Sequence, residues 1–556
     1  MPVVKFPIKE LERLLGTPVP RERLARDIPM IGADVEDAKG DTWAVEFFPD
    51  RPDLFTVEGI ARALRSWYGF ETGLRRYDAR PSGTHVAVDP SVEKVRPFIQ
   101  CAFVRGVDVT EERLQQLIDL QEDLHWGLGA RRRRVAIGVH DAAPLAPPFT
   151  YGTWGLDEGR FVPLAHADEM TPREVLAKHP KGVEYAHLLA GEPRVPIILD
   201  AKGGVLSLPP VINAARTTVT TRTRDLFLDV TGTDEWAVGR ALNILATSLA
   251  EGGGRLESVE VRRGGRVEAT PRLEPEERAL DVEESNRLLG MRFTAEETAE
   301  RLRRMGHGAQ ADGARVKVQV PPYRADVLHA WDLVEDVAIG HGLANFEPEP
   351  LHHPTVGAQL PESRVSERAR RSLVGLGFLE TMSLTLTNAR DQFERMQRPP
   401  TAVVEVKNPV TEDHTMLRPS LLPGLLHVLK RNAHRDLPQR IFEVGVVTHL
   451  KDGAPVFERR VAAVHAAGRS SFSEVKGVAL ALARDLGWGE PAVGKVDDPA
   501  FVRGRCAGLT TGGLPRGVFG EVSPAVLEAF GIGHPVVAFE LHLARGPGDH
   551  VRGANG

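Results

Sequence analysis

The sequence predicts a multidomain α+β protein in which one small helix–strand module occurs twice. The copies flank a central α+β domain, and another α+β domain follows the second copy. Three observations carry that reading. A length of 556 residues, with 42% hydrophobic and 26% charged side chains, suits three or four globular domains with cores of their own. A stretch at residues 49–64 returns at 322–342 with the same landmarks ahead of it. Amphipathic helical periods and short alternating strands are interspersed along the chain.

Bulk properties exclude several classes. The formal net charge is −6, so any nucleic-acid-binding surface is local. Cys101 and Cys506 are the only cysteines and supply neither a disulfide framework nor a cysteine zinc site. The N-terminal residues lack an apolar signal core, and no run of about 18 apolar residues occurs. A cytoplasmic location is expected.

Residues 1–80 form the first module. A strand at 3–6 leads to a helix at 8–15 stopped by Gly16, and a second helix starts near Pro20. A strand near 43–47 precedes a helix on which Leu54, Val57, Ile60, Ala61 and Leu64 share a face. The second copy, 271–348, repeats the pattern. Leu288-Leu289-Gly290 matches Leu14-Leu15-Gly16, Gly306 matches Gly32, and Pro322-x-Arg324-x-Asp326 matches Pro49-x-Arg51-x-Asp53. Thr294 and Glu297 read as a capping box, and Val316, Val318 and Val320 alternate as a strand. Two helices, a strand pair and a third helix describe a winged-helix-like unit, a common docking module.

The central domain, 81–270, carries a helix at 111–124 and a strand at 135–139. Between them Arg131–Arg134 is the densest positive charge in the chain, and it reads equally as a solvated turn or a phosphate-backbone contact. His140-Asp141 closes that strand, where binding groups often sit, although a turn start explains the pair as well. Strands at 195–199 and 226–230, a hairpin at 201–204 and a helix at 235–250 capped by Thr233 or Asp234 follow. Ser207, Asn213 and several threonines crowd the bend. No nucleophile stands at motif spacing from a base, so these groups either hydrogen-bond a polar ligand or serve turn chemistry.

The last domain, 352–546, begins after Leu351-His352-His353-Pro354. It is expected to hold helices at 361–376 and 422–432, strands at 380–386 and 439–447, and a helix between strands within 519–543. Residues 547–556 are expected to be a disordered tail.

Asp332, Glu335 and Asp336 sit at i, i+3 and i+4 and share one helix face, with Asp326 just upstream. Like charges at this spacing cost a helix roughly 0.2–0.5 kcal/mol per pair. A solvated acidic face and a site for an oxygen-liganded cation such as Mg²⁺ both fit. Aligned on Asp53, the first copy has Gly59, Arg62 and Ala63 at the three helix positions, so the module does not require those acids.

Seven motifs, in order, carry a resemblance: PDRPDLFTVEGIARAL (49–64), QEDLHWGLG with RRRRVAIGVHD (121–141), LPPVIN with TRDLFLDVTGTD (208–234), YRADVLHAWDLVEDVAIGHG (323–342), KNPVTEDHTMLRPSLLPGLL (407–426), LPQRIFEVG (437–445) and FGEVSPAVLEAFGI (519–532). Together they resemble the beta chain of phenylalanyl-tRNA synthetase in its archaeal and eukaryotic form. The resemblance implies an (αβ)₂ enzyme that joins phenylalanine to tRNA(Phe) with ATP, the alpha chain carrying the activation site and binding most of the ATP. It implies an editing-type central domain that hydrolyses mischarged Tyr-tRNA(Phe), with a pocket near Ser207 and Asn213 and, more loosely, His140.

It also implies that 352–546 is a class II synthetase-like antiparallel-sheet domain that docks alpha without activating amino acid. Arg440 and Glu443 resemble the RxxE stretch of class II sites, while no glycine-rich segment ends in an ATP-clamping arginine. The anticodon-binding and inserted tRNA-binding domains of bacterial beta chains are expected to be absent. Asp326, Asp332, Glu335 and Asp336 fall at the spacing of the family's Mg²⁺ site, shared with alpha. Two departures stand out: Phe48-Pro49 precede Asp50 where asparagine is common in the family, and Ala214 follows Asn213 where serine is frequent. A free-standing tRNA-binding scaffold and an independent editing hydrolase are the competing readings, and neither needs segments 407–426 and 437–445.

Overall fold

The computed structural model describes residues 2–350, 355–469 and 471–543. It divides into two compact units, Met1–Glu349 and Pro350–Gly556, each a mixture of helices and sheets. The expected domain start at 351–354 and the tail at 547–556 lie outside the described residues.

In the first unit each module copy is a three-stranded antiparallel sheet with three helices. The first sheet places Thr42–Phe47 between Val3–Pro7 and Ala33–Asp37. The second places Arg315–Val320 between Glu276–Asp281 and Gly308–Asp312. The strand pair expected from sequence is therefore a triplet in both copies. The additional strands read ADVED, EERALD and GAQAD, with at most one β-branched residue each, and pair through backbone with an apolar central strand. Helix ends follow local chemistry. Gly16 and Gly290 stop the first helix of each copy in the left-handed region, at φ 68° in both. Thr294 and Glu297 form the reciprocal capping box.

Between the modules lies a ten-stranded sheet. From one edge its main path runs Ile212–Asn213, Val205–Leu208, Arg194–Asp200, Phe149–Gly155, Ala79–Val88, Arg255–Arg263, Phe98–Arg105, Asp225–Gly232 and Val135–Asp141. Helices Glu111–Trp126 and Glu235–Glu251 contribute Leu117, Leu120, Ala241 and Leu245 to a core continuous with that of the first module. Asp234, not Thr233, caps the second helix, accepting from the Ala237 N–H. A separate core forms around Val86, Phe103, Phe149, Tyr151 and Phe227.

The second unit holds a seven-stranded sheet with Leu379–Glu380, Gln439–Lys451, Ala454–Ala466, Val536–His542, Leu514–Val522, Phe501–Thr511 and Ala492–Lys495 in that order. All neighbours are antiparallel except the first pair. Helices Pro361–Gly375, Leu422–Arg431, Phe472–Asp485 and Pro524–Phe530 accompany it. The strand expected at 380–386 is not continuous: only Leu379–Glu380 and Leu386–Thr387 are paired. The alternating apolar pattern that suggests a strand there leaves Met382 and Leu384 93% and 69% exposed.

Candidate functional site

The cavity is built on the strand Asp225–Gly232, whose sequence DLFLDVTG is buried along nearly its whole length. Two-residue periodicity puts Asp229 and Thr231 on one face. They line a cavity of about 410 Å³ together with Ser207, Asn213 and Thr217, and with apolar groups such as Ile137 and Val211. Ser207 and Asn213 face each other directly across the hairpin that ends the sheet. Asn213 donates to the Val139 carbonyl at 3.3 Å. Among the described residues, the buried Ser207 Oγ has no hydrogen-bond partner, and no imidazole or carboxylate reaches it to activate it.

His140 stands behind the wall. Its Nε2 lies 2.6 Å from Asp229 Oδ2 and its Nδ1 2.8 Å from Thr217 Oγ1. Buried Arg96 donates to the Thr231 hydroxyl at 3.0 Å and to its carbonyl at 2.7 Å. Burial pushes the Arg96 guanidinium down to about 10, against the pull of Tyr151 and Asp229.

The arginine run divides. Ala130, Arg131 and Arg132 take positive φ values of 49°, 56° and 65° in a tight turn. That turn buries Arg132, which donates to the Val211 carbonyl at 3.0 Å and to Glu122 at 2.6 Å and so ties down the cavity wall. Arg134 pairs with Asp234 at 2.6 Å. Arg131 and Arg133 face outward.

The acidic cluster is organised around an arginine. Arg324, fully buried, grips Asp326 through Nε and Nη2 at 2.8 and 2.6 Å and reaches Asp336 at 2.7 Å. His307 Nε2 lies 2.6 Å from Asp336 as well. Burial alone would raise both carboxyls. The Arg324 charge overrides it and holds them below the usual range. Asp332 accepts from the Leu328 and His329 N–H groups at 2.7 and 2.6 Å, capping the helix Ala330–His341. Glu335 has no cationic partner among the described residues; burial and then Asp336, Asp50, Asp326 and Asp332 push its carboxyl up.

A family model described as the phenylalanyl tRNA synthetase beta chain CLM domain matches residues 349–543, and one described as the tRNA synthetase B5 domain matches 278–343. The phenylalanine–tRNA ligase beta subunit of Methanosarcina acetivorans is 46% identical over 98% of this chain and 98% of its own length. That of Archaeoglobus fulgidus is 45% identical with the same two-way coverage. The chain belongs to the phenylalanine–tRNA ligase beta subunit family. A crystal structure of an N-terminal fragment of the phenylalanyl-tRNA synthetase beta subunit from Pyrococcus horikoshii is similar at a TM-score of 0.59 and 36% identity, covering 61% of this chain and all of that one.

For a beta subunit of this family the acids bear on the implied Mg²⁺. Among the described residues no three His, Cys, Asp or Glu side chains are arranged to enclose a metal ion. The donor set is nonetheless all oxygen, and Glu335 carries like-charge repulsion with no cationic partner among the described residues. That suits part of a site for a hard cation. Sequence reasoning missed Asp229, Thr231 and Arg96. For Asp229 and Thr231 the signal available was polar residues at alternate positions within an otherwise apolar strand.

Proposed function

We propose that this chain is the beta subunit of an (αβ)₂ phenylalanine–tRNA ligase, active only with its alpha partner, and that its central cavity hydrolyses Tyr-tRNA(Phe). ATP is held mainly by alpha. The observation that carries the editing reading is the roughly 410 Å³ cavity, whose apolar walls meet Ser207, Asn213, Thr217, Asp229 and Thr231. A buried polar group that bonds a tyrosine hydroxyl is left unpaired by phenylalanine, which permits discrimination of about 10⁴ or more where an apolar pocket cannot. Without an activated nucleophile, hydrolysis depends on an oriented water and on groups of the tRNA itself.

The two modules serve as winged-helix-like docking units, and the sheet after Glu349 as a class II-like domain that docks alpha through exposed apolar side chains such as Met382 and Leu384. A free-standing scaffold or hydrolase leaves that domain without a role. Asp326, Asp332, Glu335 and Asp336 supply this chain's half of the Mg²⁺ site, and the ion when bound neutralises the carboxylate cluster against the partner. Purified chain alone is expected to show no phenylalanine-dependent ATP–pyrophosphate exchange and to gain it with alpha. Exchange by the lone chain, or none with a competent partner, overturns the reading. Asn213→Ala is expected to slow Tyr-tRNA(Phe) deacylation; an unchanged rate removes Asn213 from the site.

A further inference from the structure

Both ring nitrogens of His140 are engaged. Nδ1 lies 2.8 Å from Thr217 Oγ1, which also lies 3.1 Å from the Ala214 carbonyl. At the other end Nε2 meets Asp229 Oδ2 at 2.6 Å, and because a carboxylate oxygen accepts, the imidazole Nε2–H is the donor there. The other Asp229 oxygen has no partner among the described residues, and Asp229 lines the cavity where His140 does not.

The sheet is shaped around this pair. Gly138 stands opposite Asp229 and His140 opposite Phe227 in the strand register. A Cβ at Gly138 would fall 2.2 Å from Asp229 Oδ2 and 2.7 Å from His140 Nε2, so only glycine leaves them room. The pair is not needed to join the two strands, which are in continuous register from Leu226 to Gly232. Arg96, whose hydrogen bonds among the described residues go to neutral acceptors, places a positive charge near Asp229.

We propose that His140 is a positioning residue for the cavity reaction: anchored by Thr217, it binds one Asp229 oxygen and holds the carboxyl group aimed into the cavity. This rests on the reading of the cavity as a hydrolytic site for mischarged tRNA. The test uses the full chain with its alpha partner. His140→Phe keeps a ring of similar shape and removes both nitrogens. The expected result is a roughly 100-fold fall in kcat for Tyr-tRNA(Phe) deacylation, with KM held by the tRNA and aminoacylation retained as a check on folding. His140→Gln, which keeps an amide donor toward Asp229, is expected to recover at least about tenfold of that loss. A KM effect without a kcat effect, or equal losses in both variants, overturns the proposal.

A second readout is independent of turnover. In the ¹⁵N-histidine-labelled full chain, a His140 Nε2–H signal shifted downfield by the short bond to Asp229 is expected, and it is absent in His140→Gln. A bare Nε2 sinks the positioning claim alone. A parent complex that does not deacylate sinks the editing reading, and with it any catalytic role for the pair.

Discussion

Arg51 Nε lies 4.0 Å from Asp326 Oδ1, so the Arg-x-Asp pairs of the two module copies meet. Each arginine binds its own aspartate through the same two nitrogens, at 2.8 and 2.9 Å in the first copy and 2.8 and 2.6 Å in the second. Only Arg324 hydrogen-bonds a second carboxylate, Asp336. Removing it deprives two buried carboxyls of their hydrogen-bonded guanidinium, whereas removing Arg51 deprives one. Arg324→Ala is therefore expected to destabilise the chain by about 3–5 kcal/mol, and Arg51→Ala by less. Denaturant unfolding of both variants checks this, and equal losses would contradict the asymmetry.

Glu335 tests the other side of the cluster. Its carboxyl is pushed up by burial and by four neighbouring acids, so the ionised form is disfavoured in the fold. Glu335→Gln relieves that repulsion, and the lone chain is expected to gain about 0.2–0.5 kcal/mol near neutral pH. The α/β complex is expected to respond oppositely, losing part of the stabilisation that added Mg²⁺ confers. Unfolding midpoints with and without Mg²⁺ measure both effects. A variant complex as responsive to Mg²⁺ as the parent would remove Glu335 from the metal reading.

His125 predicts an acid limb. Its Nε2 accepts the Ile137 N–H at 2.8 Å and so carries no proton. Burial drives the ring down to about 4, against the pull of Glu122 and with help from Arg132. In the unfolded chain the ring titrates near 6.5. The folded value lies below the unfolded one, so the contribution is complete above about pH 6.5. It is lost as pH falls toward 4, on the order of 3 kcal/mol across that window. His125→Gln offers an amide oxygen to Ile137 and has no proton to take up. Its stability curve should be flatter over the same range, and a slope equal to the parent's would refute the assignment.

What the sequence discloses follows from where the interactions lie along the chain. The module repeat is legible because Gly16, Gly32 and Arg51-x-Asp53 recur as local landmarks, each tied to a turn or a neighbouring residue. Caps such as Thr294–Glu297 are legible for the same reason. The edge strands Ala33–Asp37 and Gly308–Asp312 are not, since backbone pairing with the following hairpin strand forms them and their own sequences hold at most one β-branched residue each. Ser207 and Asn213 stand out as polar groups in a crowded bend, but Asp229 is hidden within LFLDV and reads as one more strand position. Its contact with His140 is a diagonal across two strands and depends on register, which no local pattern encodes. Arg132 shows the reverse case. A run of four arginines suggests an outward charge, yet the positive φ of the turn aims one of them inward.

Gly138 gives the sharpest single-atom prediction. A methyl group there meets Asp229 Oδ2, Asp229 Cγ and His140 Nε2 at 2.2, 2.8 and 2.7 Å. The strand, at the edge of the sheet, is held along its length by pairing with Asp225–Gly232. Alanine must therefore displace the His140–Asp229 pair, at a cost of about 1–3 kcal/mol as for other overpacked core sites. Gly152, in the same sheet, is the control. The nearest atom to a Cβ there is Asp89 Cβ at 3.5 Å, an ordinary contact. Gly152→Ala should leave stability and Tyr-tRNA(Phe) deacylation close to the parent, while Gly138→Ala is expected to lower both and to spare aminoacylation, which the proposed function assigns to the alpha partner. Should Gly138→Ala unfold no earlier than Gly152→Ala and deacylate as fast, the buried pair has no bearing on the cavity, because the methyl group leaves it no room to persist.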